Sequence, residues 1–230
     1  MWAALAFLSM LTFAVINWMA VARAWKRIET FAKPATMVLL FTTLALAAGF
    51  RDRPLVFFGL GVLFSMIGDI LLLLSFQHNS NRWFLAGMGA FLLAQVAYII
   101  ALNMPFGGRS PLVATVIAVV LAVAAGRILQ PILAGVRSRG LPRMVVPVAV
   151  YAGAIDLMLL SALLTFLSPA WKPFPSALVS LGAALFFFSD VLLAWNKFVK
   201  PVKNGRLLNM VAYHLGQFTL VAGAVMQFRK

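Results

Sequence analysis

The sequence predicts an all-α membrane protein, a bundle of about eight transmembrane helices, on three observations. Of its 230 residues, 63% are hydrophobic and only 10% charged, where soluble domains run at roughly 45–50% apolar and about 25% charged. Mean hydropathy is +1.00. The apolar residues gather into eight runs, most of them near the ~20 residues that a helix needs to cross the hydrocarbon core. These features exclude a water-soluble globule, a disordered chain and a nucleic-acid-binding domain. The chain reads as a single transmembrane domain over residues 1–230, with its chemistry inside or at the edge of the bilayer.

The runs cover about 3–22, 35–50, 55–76, 84–104, 111–136, 144–167, 176–195 and 207–228. Although Ala22-Arg23-Ala24 faintly resembles a signal cleavage site, no positive residue precedes the first run and its apolar stretch is too long for a signal h-region. It is therefore read as the first span. The second opens behind Lys33-Pro34 and the third carries Asp69. Gln95 and Tyr98 fall in the fourth, Tyr151 and Asp156 in the sixth, Asp190 in the seventh, and Tyr213, His214 and Gln217 in the eighth. Glu29, Asp52 and His78 are assigned to connections.

A net charge of +14 would suggest nucleic acid in a soluble protein, but here Lys and Arg fall between apolar runs. The first, fifth and seventh connections hold four each and the third holds Arg82, thirteen of the 19 in all. The excess of positive charge on one side predicts that the odd connections are cytoplasmic and both termini outside. Trp25, Trp83, Trp171 and Trp195 stand at span ends, as interfacial aromatics do. The chain has no cysteine, two histidines and five acids. That excludes disulfides and a thiol nucleophile, and leaves a metal site poorly supplied.

An internal repeat is visible. Gly61 stands eight residues before Asp69 and Gly182 eight before Asp190, each Asp being followed by apolar residues with two leucines; one helix later Gln95 corresponds to Gln217 at nearly the same offset. Two parallel four-helix repeats, 1–110 and 111–230, would place Asp69 and Asp190 at equivalent depths.

An aspartate within a span costs about 2.5–3.5 kcal/mol on insertion scales, so each needs a reason to be there. With the orientation above, Asp69, Asp190 and His214 lie roughly 10 Å from the cytoplasmic helix ends, and Asp156 nearer the middle. His214 and Gln217, at i and i+3, share a helix face. Asp69, Asp190 and His214 are the candidate catalytic groups. Gln95, Tyr98, Tyr151, Tyr213 and Gln217 are candidates near the same depth, and Lys33, Asn196 and Lys197 lie at the cytoplasmic rim. Taken singly, the neutral polar groups are as well explained as interhelical glue. Two carboxyl groups in a low-dielectric site divide roles, one protonated and one ionised, which suits acid–base hydrolysis and equally a proton relay.

At these residues the chain resembles the YhhN-like family of multi-pass membrane proteins. The matching stretches are Lys33-Pro34, Phe64 to Asp69, Gly87 to Tyr98, Tyr151 and Met158, Phe188 to Asp190, Asn196 to Phe198, and Tyr213 to Gln217. Gln95 stands where the family more often has His, so the fourth span offers a hydrogen bond rather than a base, and Asp156 falls outside the family pattern. The resemblance implies a lysoplasmalogenase, cleaving the vinyl ether bond of a lysophospholipid or related ether lipid without metal or organic cofactor. It further implies that one of Asp69 and Asp190 donates a proton while the other stabilises the cation, with His214 and Tyr213 orienting water. Lys33 and Lys197 would hold the phosphate, and Tyr151, Asn196, Gln95 and Gln217 would complete the substrate site. The expected location is a bacterial inner membrane, with the site toward the cytoplasmic leaflet and the membrane lipid as partner. No oligomeric state follows.

A proton-coupled transporter is the alternative, and it predicts broken helices at the acids. An intramembrane aspartyl protease would need Gly-x-Gly-Asp, but Met66 occupies the first glycine position.

Overall fold

The computed structural model describes residues 1–104 and 110–229. Eight long helices follow one another: α1 (Trp2–Ala22), α2 (Lys26–Ala48), α3 (Arg53–His78), α4 (Asn81–Leu102), α5 (Pro111–Ser138), α6 (Val145–Leu163), α7 (Pro173–Ala194) and α8 (Gly205–Phe228). Short 3₁₀ turns flank α6, and α7 runs on into a π-turn over Trp195–Val199. No strand occurs among the described residues. Seven of the helical segments are long and apolar enough to cross a membrane; α8 is 24 residues long, its apolar run diluted by Asn209, His214 and Gln217. This is an integral membrane protein with the all-α architecture that the hydropathy predicts. The connection between α4 and α5, where the two repeats would meet, falls largely outside the described residues.

One helix departs from expectation. Pro34 was placed at the opening of the second span, but α2 begins at Lys26 and passes through it. A proline removes one backbone donor, and in a membrane helix neighbouring groups re-satisfy what it frees. One turn before the proline, the Thr30 hydroxyl donates to the Lys26 carbonyl at 2.8 Å and accepts from Gln77 Nε2 on α3 at 3.3 Å, which ties this turn of α2 to α3. Lys26, Arg27 and Lys33 therefore ride on a helix. Glu29, read as a connection residue, is also helical and only 5% exposed.

Tertiary contacts divide the chain into two compact units, residues 1–101 with 221–230, and residues 102–220. In the first, α1 packs on α2 and α2 on α3. A tight turn joins α1 to α2, with Ala24 at φ 56° and the Trp25 N–H donating to the Ala20 carbonyl at 2.8 Å. Glycines let α3 and α4 approach closely: a Cβ on Gly61 would stand 2.3 Å from the Tyr98 ring, and one on Gly68 would stand 2.5 Å from Phe91. Tyr98 is fully buried, its ring 5.8 Å from that of Phe58.

In the second unit α6 packs against both α5 and α7. Asn103 Nδ2 donates to Ser161 Oγ at 3.0 Å, and Ser180 Oγ donates to the Ala162 carbonyl at 3.0 Å. The α7–α8 crossing brings backbones into contact. A Cβ on Gly182 would lie 2.7 Å from the Gly216 carbonyl oxygen and from the Leu220 nitrogen. Such small-residue crossings are how membrane helices gain packing without a hydrophobic driving force. Gly182 thus meets Leu220, which stands as far beyond Tyr98, the partner of Gly61, as Gln217 does beyond Gln95.

Candidate functional site

In the first unit, α2 and α3 present two opposite charges to each other inside the protein. Lys33 Nζ lies 2.8 Å from Asp69 Oδ1, with side chains 8% and 1% exposed. Lys33 was expected at the rim; it is instead buried with an aspartate as partner. Glu29 lies one turn before Lys33 on α2 and Ser65 one turn before Asp69 on α3, both buried. From α1, buried Asn17 approaches the same helix, Nδ2 standing 3.5 Å from the Glu29 carbonyl oxygen. Each of the two groups offsets the cost of burying the other in a medium where a lone charge is prohibitive.

Gln95 on α4 is fully buried, and neither its Oε1 nor its Nε2 has a hydrogen-bond partner among the described residues. Leaving a buried polar group unsatisfied costs roughly 1–3 kcal/mol. It is therefore suited to meeting a group that arrives from outside the chain.

In the second unit, the Tyr151 hydroxyl on α6 donates a hydrogen bond to Asp190 Oδ2 on α7. Both residues line a groove of about 60 Å³ between α5, α6 and α7, whose other lining residues are all apolar. One carboxyl oxygen of Asp190 is thus fixed by a phenol at an otherwise oily surface. Asp156, on the same helix as Tyr151, is not among the lining residues.

Below Asp190 the π-turn bears Asn196 and Lys197. Asn196 Oδ1 accepts the Val202 N–H at 2.7 Å, and Gly205 lies against its amide. This side chain fastens the turn between α7 and α8. Lys197 Nζ stands 5.8 Å from the Phe198 ring centroid, and Arg139 Nε donates to the Phe198 carbonyl at 3.2 Å. On α8, Tyr213, His214 and Gln217 are all buried. His214 stacks on Phe218 with ring centroids 5.9 Å apart and planes 8° from parallel, and Tyr213 meets Phe186 edge-on at 5.4 Å.

Asp69 therefore belongs to the first unit, and Asp190 and His214 to the second. Helices α3 and α7 run unbroken through their aspartates. Among the described residues no cluster of three His, Asp or Glu side chains is arranged to hold a metal.

The YhhN family matches residues 28–224. This chain belongs to the YhhN family. Among the relatives of this YhhN protein, lysoplasmalogenase TMEM86A of Bos taurus is 31% identical over 168 residues, 72% of this chain and 63% of that protein. Lysoplasmalogenase TMEM86B of Homo sapiens is 31% identical over 142 residues, 62% of this chain and 54% of that protein. Lysoplasmalogenase TMEM86B of Rattus norvegicus is 37% identical over 84 residues, 36% of this chain and 32% of that protein. The matched part is less than two thirds of each relative's length. No solved structure matches this YhhN protein.

Sequence reasoning singled out Lys33, Asp69, Tyr151 and Asp190 without seeing that they form two pairs. It missed Asn17 and the burial of Glu29. A lone Asn in an otherwise apolar first span was a signal of the same kind as the aspartates.

Proposed function

We propose that this YhhN protein is a membrane hydrolase that cleaves the vinyl ether bond of a lysoplasmalogen, releasing a fatty aldehyde and glycerophosphoethanolamine or glycerophosphocholine. The observation that carries this reading is the pairing of two span-borne aspartates, Asp69 with Lys33 and Asp190 with Tyr151. The names of the YhhN relatives, lysoplasmalogenases, supply the reaction.

Water does not add directly to a vinyl ether. A proton must first reach the carbon β to oxygen, leaving an oxocarbenium ion on the α carbon; water adds there, loses a proton and gives a hemiacetal. That collapses to the aldehyde and the glycerol hydroxyl, so one water is consumed and the proton is returned. The reaction needs a protonated carboxyl and a standing negative charge, and no metal or organic cofactor. Asp190 suits the first role, because its carboxyl is held by the Tyr151 hydroxyl at an otherwise apolar wall. Asp69, ion-paired with Lys33, suits the second.

His214 with Tyr213 is assigned to orienting water, Gln95 and Gln217 to hydrogen bonds with the glycerol, and Lys197 to the phosphate. Asn196 acts through the turn that carries Lys197. In this reading the chemistry lies toward the cytoplasmic leaflet with both termini outside, supported by the excess of Lys and Arg in the odd connections. The unbroken α3 and α7 favour an enzyme over a transporter built on broken helices.

The test is aldehyde release from a lysoplasmalogen by detergent-purified protein. Turnover that is lost in Asp69→Asn and in Asp190→Asn, with helicity kept, supports the reading. Silence of the wild-type protein, or full activity in either variant, rejects it.

A further inference from the structure

Three helices of the second unit share one pattern. The groove is lined on α5 from Ala125 to Ile132, on α6 from Val148 to Ile155 and on α7 from Phe187 to Ala194, in each case at i, i+3, i+4 and i+7. Each stripe is one continuous helix face, about 10 Å long at 1.5 Å per residue. Every helix contributes one alanine, Ala125, Ala152 or Ala194, and these create the width. Only Tyr151 and Asp190, midway along their stripes, are polar.

The two ends of this groove differ. Because α6 runs opposite to α5 and α7, the end bounded by Ile132, Val148 and Ala194 leads toward Arg139 after α5, Arg143 before α6 and Lys197 after α7. Arg139 Nε donates to the carbonyl of Phe198, the residue after Lys197, at 3.2 Å, so the end of α5 brings its guanidinium to the turn that carries Lys197. Two neighbouring cations at the edge of an apolar groove favour an anion between them. The opposite end, at Ala125, Ile155 and Phe187, is purely apolar.

We propose that this groove binds the single hydrocarbon chain of a lysophospholipid, with its phosphate at Arg139 and Lys197 and its glycerol ether beside Asp190. The proposal rests on the lysoplasmalogen reading and gives that substrate its chain site. Asp190 lies seven residues from Lys197, about 10 Å along the helix, a distance that a glycerophosphate bridges once the lysine's reach is included. A groove of about 60 Å³ with one alanine on each wall seats the methylenes next to the ether of one chain, and a lipid whose second chain is absent reaches it without having to leave that chain behind in the bilayer.

The probe is a non-hydrolysable 1-O-alkyl lysophosphoethanolamine bearing a diazirine in its chain, photolysed with the full-length protein in nanodiscs and mapped by mass spectrometry. Labels are expected on the α5, α6 and α7 stripes, competed by unlabelled lysophospholipid and not by diacyl phospholipid. Ala152→Phe fills the groove and should cut labelling about tenfold or more, since each displaced methylene loses burial. Ala125→Leu, on a helix that tolerates bulk toward lipid, should cut it less and guards against misfolding of the first variant. Lys197→Ala should weaken competition by the lysophospholipid while leaving that by a neutral monoalkyl glycerol unchanged. Labels elsewhere, equal competition by diacyl phospholipid, or labelling unmoved by both alanine variants would overturn the proposal. Binding is read without turnover, so groove labelling with no aldehyde release rejects the enzyme reading alone. Aldehyde release with labels elsewhere rejects the chain site alone.

Discussion

Lys33 on α2 holds its ammonium 2.8 Å from the Asp69 carboxylate on α3, and both side chains are buried. An ion pair in this setting is fragile in a characteristic way, because removing one partner leaves the other charge uncompensated. Lys33→Met should therefore destabilise the protein by about 3–5 kcal/mol, read as thermal unfolding in detergent, while Lys33→Met/Asp69→Asn recovers much of that loss. If the single and double variants unfold alike, the pair does not hold α2 to α3.

Replacement of either aspartate by asparagine tests the role of its carboxyl group in the chemistry. Asp69→Asn and Asp190→Asn keep side-chain volume, and general acid–base catalysis contributes typically 10²–10⁴-fold. Each variant should lose aldehyde release by about that factor; Asp69→Asn also unpairs Lys33, so its activity is read below its lowered unfolding temperature, where helical circular dichroism is kept.

Tyr151→Phe removes the hydroxyl that donates to Asp190 and leaves the groove wall in place. A hydrogen bond to a neutral carboxyl contributes about 0.5–1.5 kcal/mol, so kcat should fall roughly two- to tenfold. KM for the lipid should stay within about twofold, since the apolar area buried is unchanged. A rise in KM with kcat preserved would mean that Tyr151 serves binding alone.

Gln95 offers an unusual opposite effect. Its amide is buried with neither end hydrogen-bonded among the described residues. Gln95→Leu should leave stability unchanged or raise it by about 1–3 kcal/mol, while catalytic efficiency falls. Lower stability in Gln95→Leu would show that the amide is used structurally.

The α7–α8 crossing permits a paired comparison of glycines. A methyl on Gly182 meets backbone at 2.7 Å, whereas a methyl on Gly153 in α6 meets nothing within 4 Å. Gly182→Ala should cost about 1–3 kcal/mol through overpacking. Gly153→Ala should be neutral or stabilising by up to about 1 kcal/mol, as glycine-to-alanine changes in helices are.

The spans were legible in the sequence because hydropathy is summed over some twenty residues and survives errors at the edges. The start of α2 was not, since Lys26, Arg27, Glu29, Lys33 and Pro34 together look like a connection, and only neighbouring helices make a helix of them. Scarcity of charge singled out Asp69 and Asp190. Their partners depend on interhelical register, which a single sequence does not encode in any local pattern; Lys33 thus looked like a rim cation, and Tyr151 like glue. The groove escaped notice for a different reason. A search for polar residues passes over Ala125, Ala152 and Ala194, whose contribution is the space they leave.

Apart from Ile132 and Val136, α5 buries none of its residues, and an apolar helix face left open in this way meets acyl chains once the protein is in a bilayer. For a single-chain lipid already dissolved in the same leaflet, the route to Asp190 is lateral and dry. The concentration that governs occupancy is then the lipid's mole fraction in the membrane, and its solubility in water is irrelevant. Adding inert detergent or phospholipid at fixed total substrate should slow turnover by surface dilution, as though substrate had been withdrawn.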